Sequence, residues 1–319
     1  MDLKDFKTYL YIFGMLAVAL TIFPFVAVDL FTVIITACLV VQLIKIYPYT
    51  PFAEKDIYTS EQINPKAPIS IYTANVLQSN KKRELLIADI KEKKPDVILL
   101  VETDTNWRDY VVEHLNDNYK YKVEAPQANT YGMLMYSKYK LINPQVKFLV
   151  DKGIPSIHTK MLLPSKDTFQ LYSIHPTPPM PQHNPLSTDR DSEMMKIANL
   201  SRTSTYPVLV MGDFNDVAWS NTTSLFQNVG ELLDIRKGRG VYNTYNANSL
   251  IFRWPLDHIF CSKEFRLISL KLGEDINSDH LPTYAKFSFE PEKAAEQQPK
   301  KPSERQLKNA KEQAERVQL

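Results

Sequence analysis

Asp213 and Asn215 stand two places apart in Gly-Asp-Phe-Asn, directly behind the apolar run Val208–Gly212. Asp257 lies in Leu-Asp-His-Ile-Phe, and Asp279 and His280 lie in Ser-Asp-His-Leu-Pro. Earlier in the chain, Asn75 ends the stretch ISIYTAN, Glu102 ends DVILLVE and His175 ends FQLYSIH. Polar groups at the ends of buried apolar strands are where open α/β sheets build their sites. Oxygen-rich side chains suit a hard cation, and a carboxylate beside one can align a water for attack. Taken singly, each position has an ordinary explanation. Asn75 could start a turn, Glu102 could cap the next helix, and His175 before Pro176 could be a loop residue. Gly-Asp-Phe-Asn differs, because no capping logic needs both polar residues behind a Val-rich strand. The joint occurrence carries the argument.

The elements that must position these groups alternate between strand-like and helix-like runs. Strands are expected at 69–75, 96–102, 131–137, 156–163, 169–175, 208–212, 256–262, 267–272 and 283–289. Helices are expected at 83–93, 105–115 and 187–203. Mixed strands and helices without an internal repeat indicate an α/β or α+β fold with sheets buried between helical layers. Other candidate groups fall away. Ser278, Asp279 and His280 are neighbours and cannot converge as a protease triad. His258 sits between Leu256 and Phe260 on a strand whose period of two turns it from the Asp257 face, which makes it structural. His114 and His183 are expected at the surface, Cys261 as a small buried hydrophobe. His158, near the middle of a strand, remains a candidate for lining the cleft.

In the order TANV, VET, YGMLMYS, IHP, GDFN, LDHIF and SDHLP, residues 67–290 resemble the endonuclease/exonuclease/phosphatase superfamily, which includes DNase I-like nucleases, sphingomyelinases and inositol polyphosphate phosphatases. GDFNDVAWS, DIRKGRG and SDHLP further resemble bacterial members with an N-terminal membrane segment. The resemblance implies a four-layer α/β sandwich, two packed sheets flanked by helices, with the site at one edge. It implies Glu102 as the main divalent-metal ligand, assisted by Asn75 and Asp279, with Mg²⁺ bound and Mn²⁺ a substitute. Asp213 would orient and deprotonate the attacking water, and Asn215 and His175 would hold phosphate oxygens. His280, oriented by Asp257, would stabilise the transition state. Two positions depart from the pattern: Val101 stands where many relatives carry Gln, and His258 where many carry an aromatic.

Of the 319 residues, those from Thr8 to Ile44 include a single charged side chain, Asp29. One helix of that length would measure roughly 55 Å, too long for a hydrocarbon core of about 30 Å. Pro24 and Asp29 mark the break, so residues 1–47 read as a transmembrane hairpin with spans near 8–24 and 28–46. A signal peptide should have a shorter apolar core and a small-residue cleavage site. Tyr9, Tyr11, Tyr47 and Tyr49 lie where interfacial aromatics belong. Lys4, Lys7 and Lys45 flank the spans, and the positive-inside rule then places both flanks and the catalytic domain in the cytoplasm. Residues 48–66 read as a proline-punctuated linker. Residues 291–319 read as a charged tail, disordered or loosely helical, without enough large apolar side chains to bury a core.

Composition excludes several classes. Two cysteines give neither a disulfide framework nor a zinc ribbon. A net charge of +2, from 38 basic and 36 acidic residues, gives no global cationic footprint for nucleic acid. With 8 glycines there is no Gly-rich phosphate loop. Arg236, Lys237 and Arg239 could contact substrate phosphates, or form a solvated basic turn. The expected function is a membrane-anchored, metal-dependent phosphoesterase cleaving phosphodiesters, foremost a nuclease. Its alternatives are a phospholipid or sphingomyelin phosphodiesterase and a catalytically silent membrane-bound scaffold. A silent scaffold should have lost Glu102, Asp213 or His280, and all three are present.

Overall fold

The computed structural model describes residues 14–15, 28–61, 68–115, 118–179 and 187–317. The chain divides into two compact units, residues 1–55 with 236–242, and residues 56–235 with 243–319.

In the first unit, α1 (Val28–Ile46) is followed by a 3₁₀ turn at Tyr47–Tyr49. The apolar window Phe31–Tyr49 has a mean hydropathy of 1.9 and no buried share, so it is long and apolar enough to cross a membrane. The expected first span, 8–24, lies outside the described residues apart from Gly14 and Met15, which are helical. The loop 236–242 packs on the segment that follows α1. Gly238 donates its N–H to Pro48 O at 2.9 Å, and the Arg236 guanidinium lies 5.8 Å from the Tyr49 ring centre. Gly238 is at φ +71°, and a Cβ there would meet Lys55 N at 2.7 Å, so only glycine fits this turn.

The second unit is built on two six-stranded mixed sheets. The first has the order β11-β12-β1-β2-β4-β3, with β1 Pro68–Asn75, β2 Val97–Val101, β3 Tyr121–Ala125, β4 Met133–Ser137, β11 Phe265–Leu272 and β12 Thr283–Phe289. The second has the order β5-β6-β7-β8-β10-β9, with β5 Lys140–Phe148, β6 Pro155–Leu162, β7 Thr168–Ile174, β8 Val208–Asp213, β9 Leu233–Asp234 and β10 Asp257–Cys261. β1 runs parallel to β2, and β7 parallel to β8; the other pairings are antiparallel. Ile71, Leu99 and Met135 from one sheet meet Phe169, Leu171, Leu209 and Ile259 from the other in the central core. Such side chains contribute roughly 1.5–3 kcal/mol each on burial. α2 (Arg83–Lys93) and α3 (Thr105–His114) cover the outer face of the first sheet. α4 (Thr188–Arg202), α5 (Asn221–Gly230) and α6 (Glu304–Glu315) cover that of the second. The result is the expected four-layer α/β arrangement.

Two segments differ from their sequence reading. The expected linker 48–66 is not a link throughout: Ile57 is fully buried in the central core, and Ser60 N–H donates to Leu267 O at 2.9 Å. The charged tail, expected to be disordered or loosely helical, contains a packed helix, α6, opened by a capping box between Ser303 and Gln306. Ala310 of α6 is fully buried, and Leu307 and Ala314 pack against the same cluster. A stripe of three small or medium apolar side chains suffices here, because α4 and α5 supply the bulk.

Candidate active site

Strand register gathers the polar groups. In the first sheet Asn75 pairs with Val101, so the side chain ending β1 lies beside Glu102, one residue past β2. In the second sheet Ile174 pairs with Gly212, and Asp213 pairs with Asp257. His175, just past β7, Asp213 at the end of β8 and Asp257 at the start of β10 therefore lie at the same edge of three adjacent strands. Gly212 makes the approach possible. It adopts φ +145°, and a Cβ would stand 1.9 Å from Ile174 O. The two sheets open at this edge into a cleft of about 510 Å³. Its lining includes Asn75, Glu102, His175, Asp213, Asn215, Asp279 and His280.

The cap of α3 is Asp104, which accepts from Trp107 N–H at 2.8 Å, so Glu102 is not spent on that helix end. Glu102 instead sits in the left-handed region at φ +59°, as does Asn215 at φ +50°. Non-glycine residues held there are strained, and such strain gathers at sites where side-chain direction matters. Asn75 does both jobs: its Oδ1 accepts from Leu77 N–H at 3.1 Å in a turn, while Nδ2 donates to Glu102 Oε1 at 2.8 Å and to Asp213 Oδ2 at 3.1 Å. In this orientation Asn75 links two carboxylates through its amide N–H groups rather than offering an oxygen between them. Asn215 Nδ2 donates to Pro176 O at 2.9 Å, and its carbonyl accepts from Arg190 at 2.9 Å.

The electrostatic centre is Asp213. Its Oδ1 accepts from Asn215 N–H at 3.0 Å. Its Oδ2 lies 3.7 Å from His280 Nε2 and 3.8 Å from His175 Nε2. His280 Nδ1 is 2.8 Å from Asp257 Oδ2. Burial opposes charge on His280, but the carboxylates of Asp257, Asp213 and Asp279 outweigh it and push the ring up to about 10. His280 is thus an imidazolium at neutral pH, with Nδ1 committed to Asp257 and the Nε2 proton facing the cleft. Ligand atoms of Asp213, Asp257 and His280 lie within 4.8 Å of one another and could in principle hold a metal ion. A protonated ring has no lone pair to give, however. The carboxylate oxygens of Glu102 and Asp279 are better matched to a hard cation, whereas the Asn75 amide, its Oδ1 accepting from Leu77 N–H, braces Glu102 through Nδ2.

Other residues are placed as follows. His258 is buried between Phe214 and Phe260 with Nε2 2.8 Å from Asp216 O, a structural histidine. His158 does not line the cleft. It lies 3.0 Å from Ser156 Oγ and edge-on to Tyr172, and burial, with Lys147 nearby, lowers its pKa to about 4. His114 stacks on Tyr110, Cys261 is buried, and His183 lies outside the described residues. Arg236 and Lys237, with Arg239, belong to the first unit rather than to the cleft lining. Val101 is a core side chain between the sheets.

Among the polar and aromatic residues of the cleft, Thr130, Tyr131 and Tyr245 escaped the sequence reading. Tyr131 lies 5.3 Å from the His175 ring, and burial, reinforced by Glu102, Asp151 and Asp213, raises its hydroxyl pKa. Tyr245 lies 5.0 Å from the His280 ring, and Thr130 completes the wall. Tyr131 opens the quoted YGMLMYS motif, which was a usable signal; Tyr245 sits in a loop with none.

The model of the Endonuclease/Exonuclease/phosphatase family matches residues 72–280. No curated protein sequence matches the chain. Among solved structures, D. rerio TDP2 complexed with single strand DNA product is 16% identical, covering 69% of this chain and 98% of its own, with a TM-score of 0.56. The human Nocturnin catalytic domain with bound sulfate anion is 18% identical, covering 70% and 94%, with a TM-score of 0.55. The mannosyl-6-phosphatase Bt3783 of Bacteroides thetaiotaomicron is 15% identical, covering 69% and 100%, with a TM-score of 0.53. At such identities the likeness is one of fold.

Proposed function

The chain belongs to the endonuclease/exonuclease/phosphatase family, hydrolases of phosphate esters, and from that premise we propose a membrane-anchored phosphodiesterase that works with a divalent cation, Mg²⁺ or Mn²⁺. The observation that carries the reading is the Asp257–His280–Asp213 chain at the mouth of an oxygen-lined cleft. Asp213, close to two imidazoles, aligns a water and takes its proton. His280, held cationic by Asp257, donates from Nε2 to the oxygen on which charge develops. His175 and Asn215 orient the remaining phosphate oxygens. Glu102, braced by Asn75, and Asp279 would hold the cation, which when bound polarises the phosphate and neutralises developing charge. Within the fold Asn75 also keeps the two carboxylate arms in register through its two donated bonds.

A nucleic-acid diester is the leading substrate, in keeping with the DNA product bound by TDP2. A lipid phosphodiester is the second reading, favoured by the exposed apolar loop beside the cleft. The hairpin, with the catalytic domain on the cytoplasmic side, completes the proposal. The test is a hydrolysis screen of the full chain with Mg²⁺ against DNA, RNA, a chromogenic diester and phospholipid, beside Asp213→Asn. Turnover by the wild type and a loss of about two or more orders of magnitude in the variant is the expected result. Equal activity of the two proteins would remove the assigned role of Asp213.

A further inference from the structure

Between Tyr245 and Trp254 the chain leaves the cleft rim as a loop with an apolar tip. Leu250 is 87% exposed, Ile251 52%, Phe252 64% and Trp254 38%. Single exposed apolar side chains need no explanation, but a contiguous group on one tip marks an interaction surface.

The loop is internally tied. Ile251 and Phe252 N–H both donate to Ser249 Oγ, at 3.3 and 2.9 Å. Arg253 N–H donates to Ile251 O at 3.2 Å, and Ser249 N–H to Asn246 O at 3.0 Å. The Arg253 guanidinium turns inward, Nη2 donating to Ala247 O at 2.9 Å and Nε to Ser249 O. These bonds matter because an unsatisfied backbone group costs several kcal/mol in an apolar medium. A tip in which the Ile251, Phe252 and Arg253 amides already have partners leaves water at a lower cost. Phe252 and Trp254 lie with rings 6.2 Å apart and 18° from parallel; aromatic side chains of this kind favour the membrane–water boundary.

The base of the loop is built into the site. Tyr245 N–H donates to Trp254 O at 2.9 Å, and Ala247 N–H to Asp279 O at 2.7 Å. Tyr245 also lines the cleft. Whatever surface holds the tip therefore sits beside the cleft mouth.

We propose that loop 246–254 is a bilayer-docking element that sinks its tip into the headgroup boundary and presents a lipid phosphate ester to the cleft. A lipid surface fits better than a nucleic acid, since the loop has no lysine and its one arginine spends Nε and Nη2 on its own carbonyls, whereas affinity for nucleic acid rests on cations facing phosphates. Anchoring would keep a bilayer within reach and raise its effective concentration. The inference rests on the anchored-phosphoesterase reading for its tether, and on the lipid phosphodiester, the second of the two substrate readings above, for its substrate.

The test uses the full chain in phosphatidylcholine/phosphatidylglycerol vesicles. An environment-sensitive fluorophore is placed on native Cys38 in α1, and separately on Leu250→Cys in a Cys38→Ser background; Cys261 is buried. Blue-shifted emission and quenching by lipid-borne nitroxides at both positions is expected. Quenching at Cys38 alone would overturn loop docking and leave the anchor standing. No quenching at either would overturn both. Quenching at position 250 by a single-stranded oligonucleotide instead of lipid would reassign the tip and overturn the proposal. In parallel, Leu250→Ser/Phe252→Ser should keep hydrolysis of bis(p-nitrophenyl) phosphate within about twofold and lose about tenfold or more on vesicle phospholipid. Equal rates on vesicles would refute docking, whereas no hydrolysis of either substrate by the wild type would refute the phosphoesterase reading whatever the probes show.

Discussion

Replacing Asp257 by Asn changes one atom type at 2.8 Å from His280 Nδ1 and leaves the shape of the cleft in place. In the wild type, three carboxylates overcome burial and hold the ring cationic up to about pH 10. Losing the nearest removes a charge and leaves a neutral amide oxygen as the only acceptor there. If the ring returns to its ordinary 6.5, the cationic fraction at pH 8 falls from ~99% to ~3%, a loss of about thirty-fold. At pH 6 the same change leaves about three-quarters of the rings charged. The ratio of wild-type to variant turnover should therefore be small at pH 6 and grow to about thirty at pH 8, on a soluble diester with saturating Mg²⁺. Taking the ratio at each pH cancels effects shared by both proteins. A proton-detected titration of the His280 ring gives the pKa directly, and a thermal melt shows that the variant is folded. A loss of equal size at pH 6 and pH 8 would refute the reasoning, because Asp257 would then be acting through position rather than charge.

Glu102→Gln should abolish the rise in unfolding temperature that Mg²⁺ or Mn²⁺ gives the wild type, and chelator should remove wild-type activity reversibly; a thermal-shift titration reads both proteins, and an unchanged metal response would move the cation elsewhere. Glu193 is wholly buried in α4, neither carboxylate oxygen has a partner among the described residues, and burial, only partly offset by Lys196, lifts its pKa from 4.5 to about 8. The folded state then binds the extra proton between those values, so stability falls as pH rises from about 5 to 8, by on the order of 3 kcal/mol at pH 7, and Glu193→Gln should flatten that slope in urea melts. Ala310→Asp puts a charge where α6 meets α4 and α5, and should lower stability by about 2–4 kcal/mol in the same assay; no change would mean that α6 is dispensable to the core.

The residues that close the apolar strands and the α/β alternation are legible in the amino-acid sequence alone. Helices 83–93 and 105–114 and the central strands were legible because hydrophobic periodicity states burial directly. β3 and β5 were not, since both lie at sheet edges; β5 carries Pro144 and a register shift between Ile142 and Gln145, which blur the period of two. α5 hid behind Asn, Thr and Gly, poor helix formers that a Ser220 cap and packing against α4 hold in place. α6 had left a signal in Ser303, Gln306 and the stripe Leu307, Ala310, Ala314, but a stripe so slight acquires meaning only once its partner helices are known.

The site divides in the same way. Strand ends announced Asn75, Glu102, His175 and Asp213 one at a time. Three-dimensional packing was needed to bring Asn75 to Asp213 across 138 residues and to make Asp104 rather than Glu102 the cap of α3, whereas the pairing of Asp257 with His280 was already implied by the family resemblance. Packing also sent His158 away from the cleft and Arg236 to a stack on Tyr49. Hydrophobic pattern records which side of an element is buried, and that is a local property of the chain. Which polar ends then share a few ångströms depends on the stacking of two sheets and on strand register, and both are set by contacts between residues far apart in sequence.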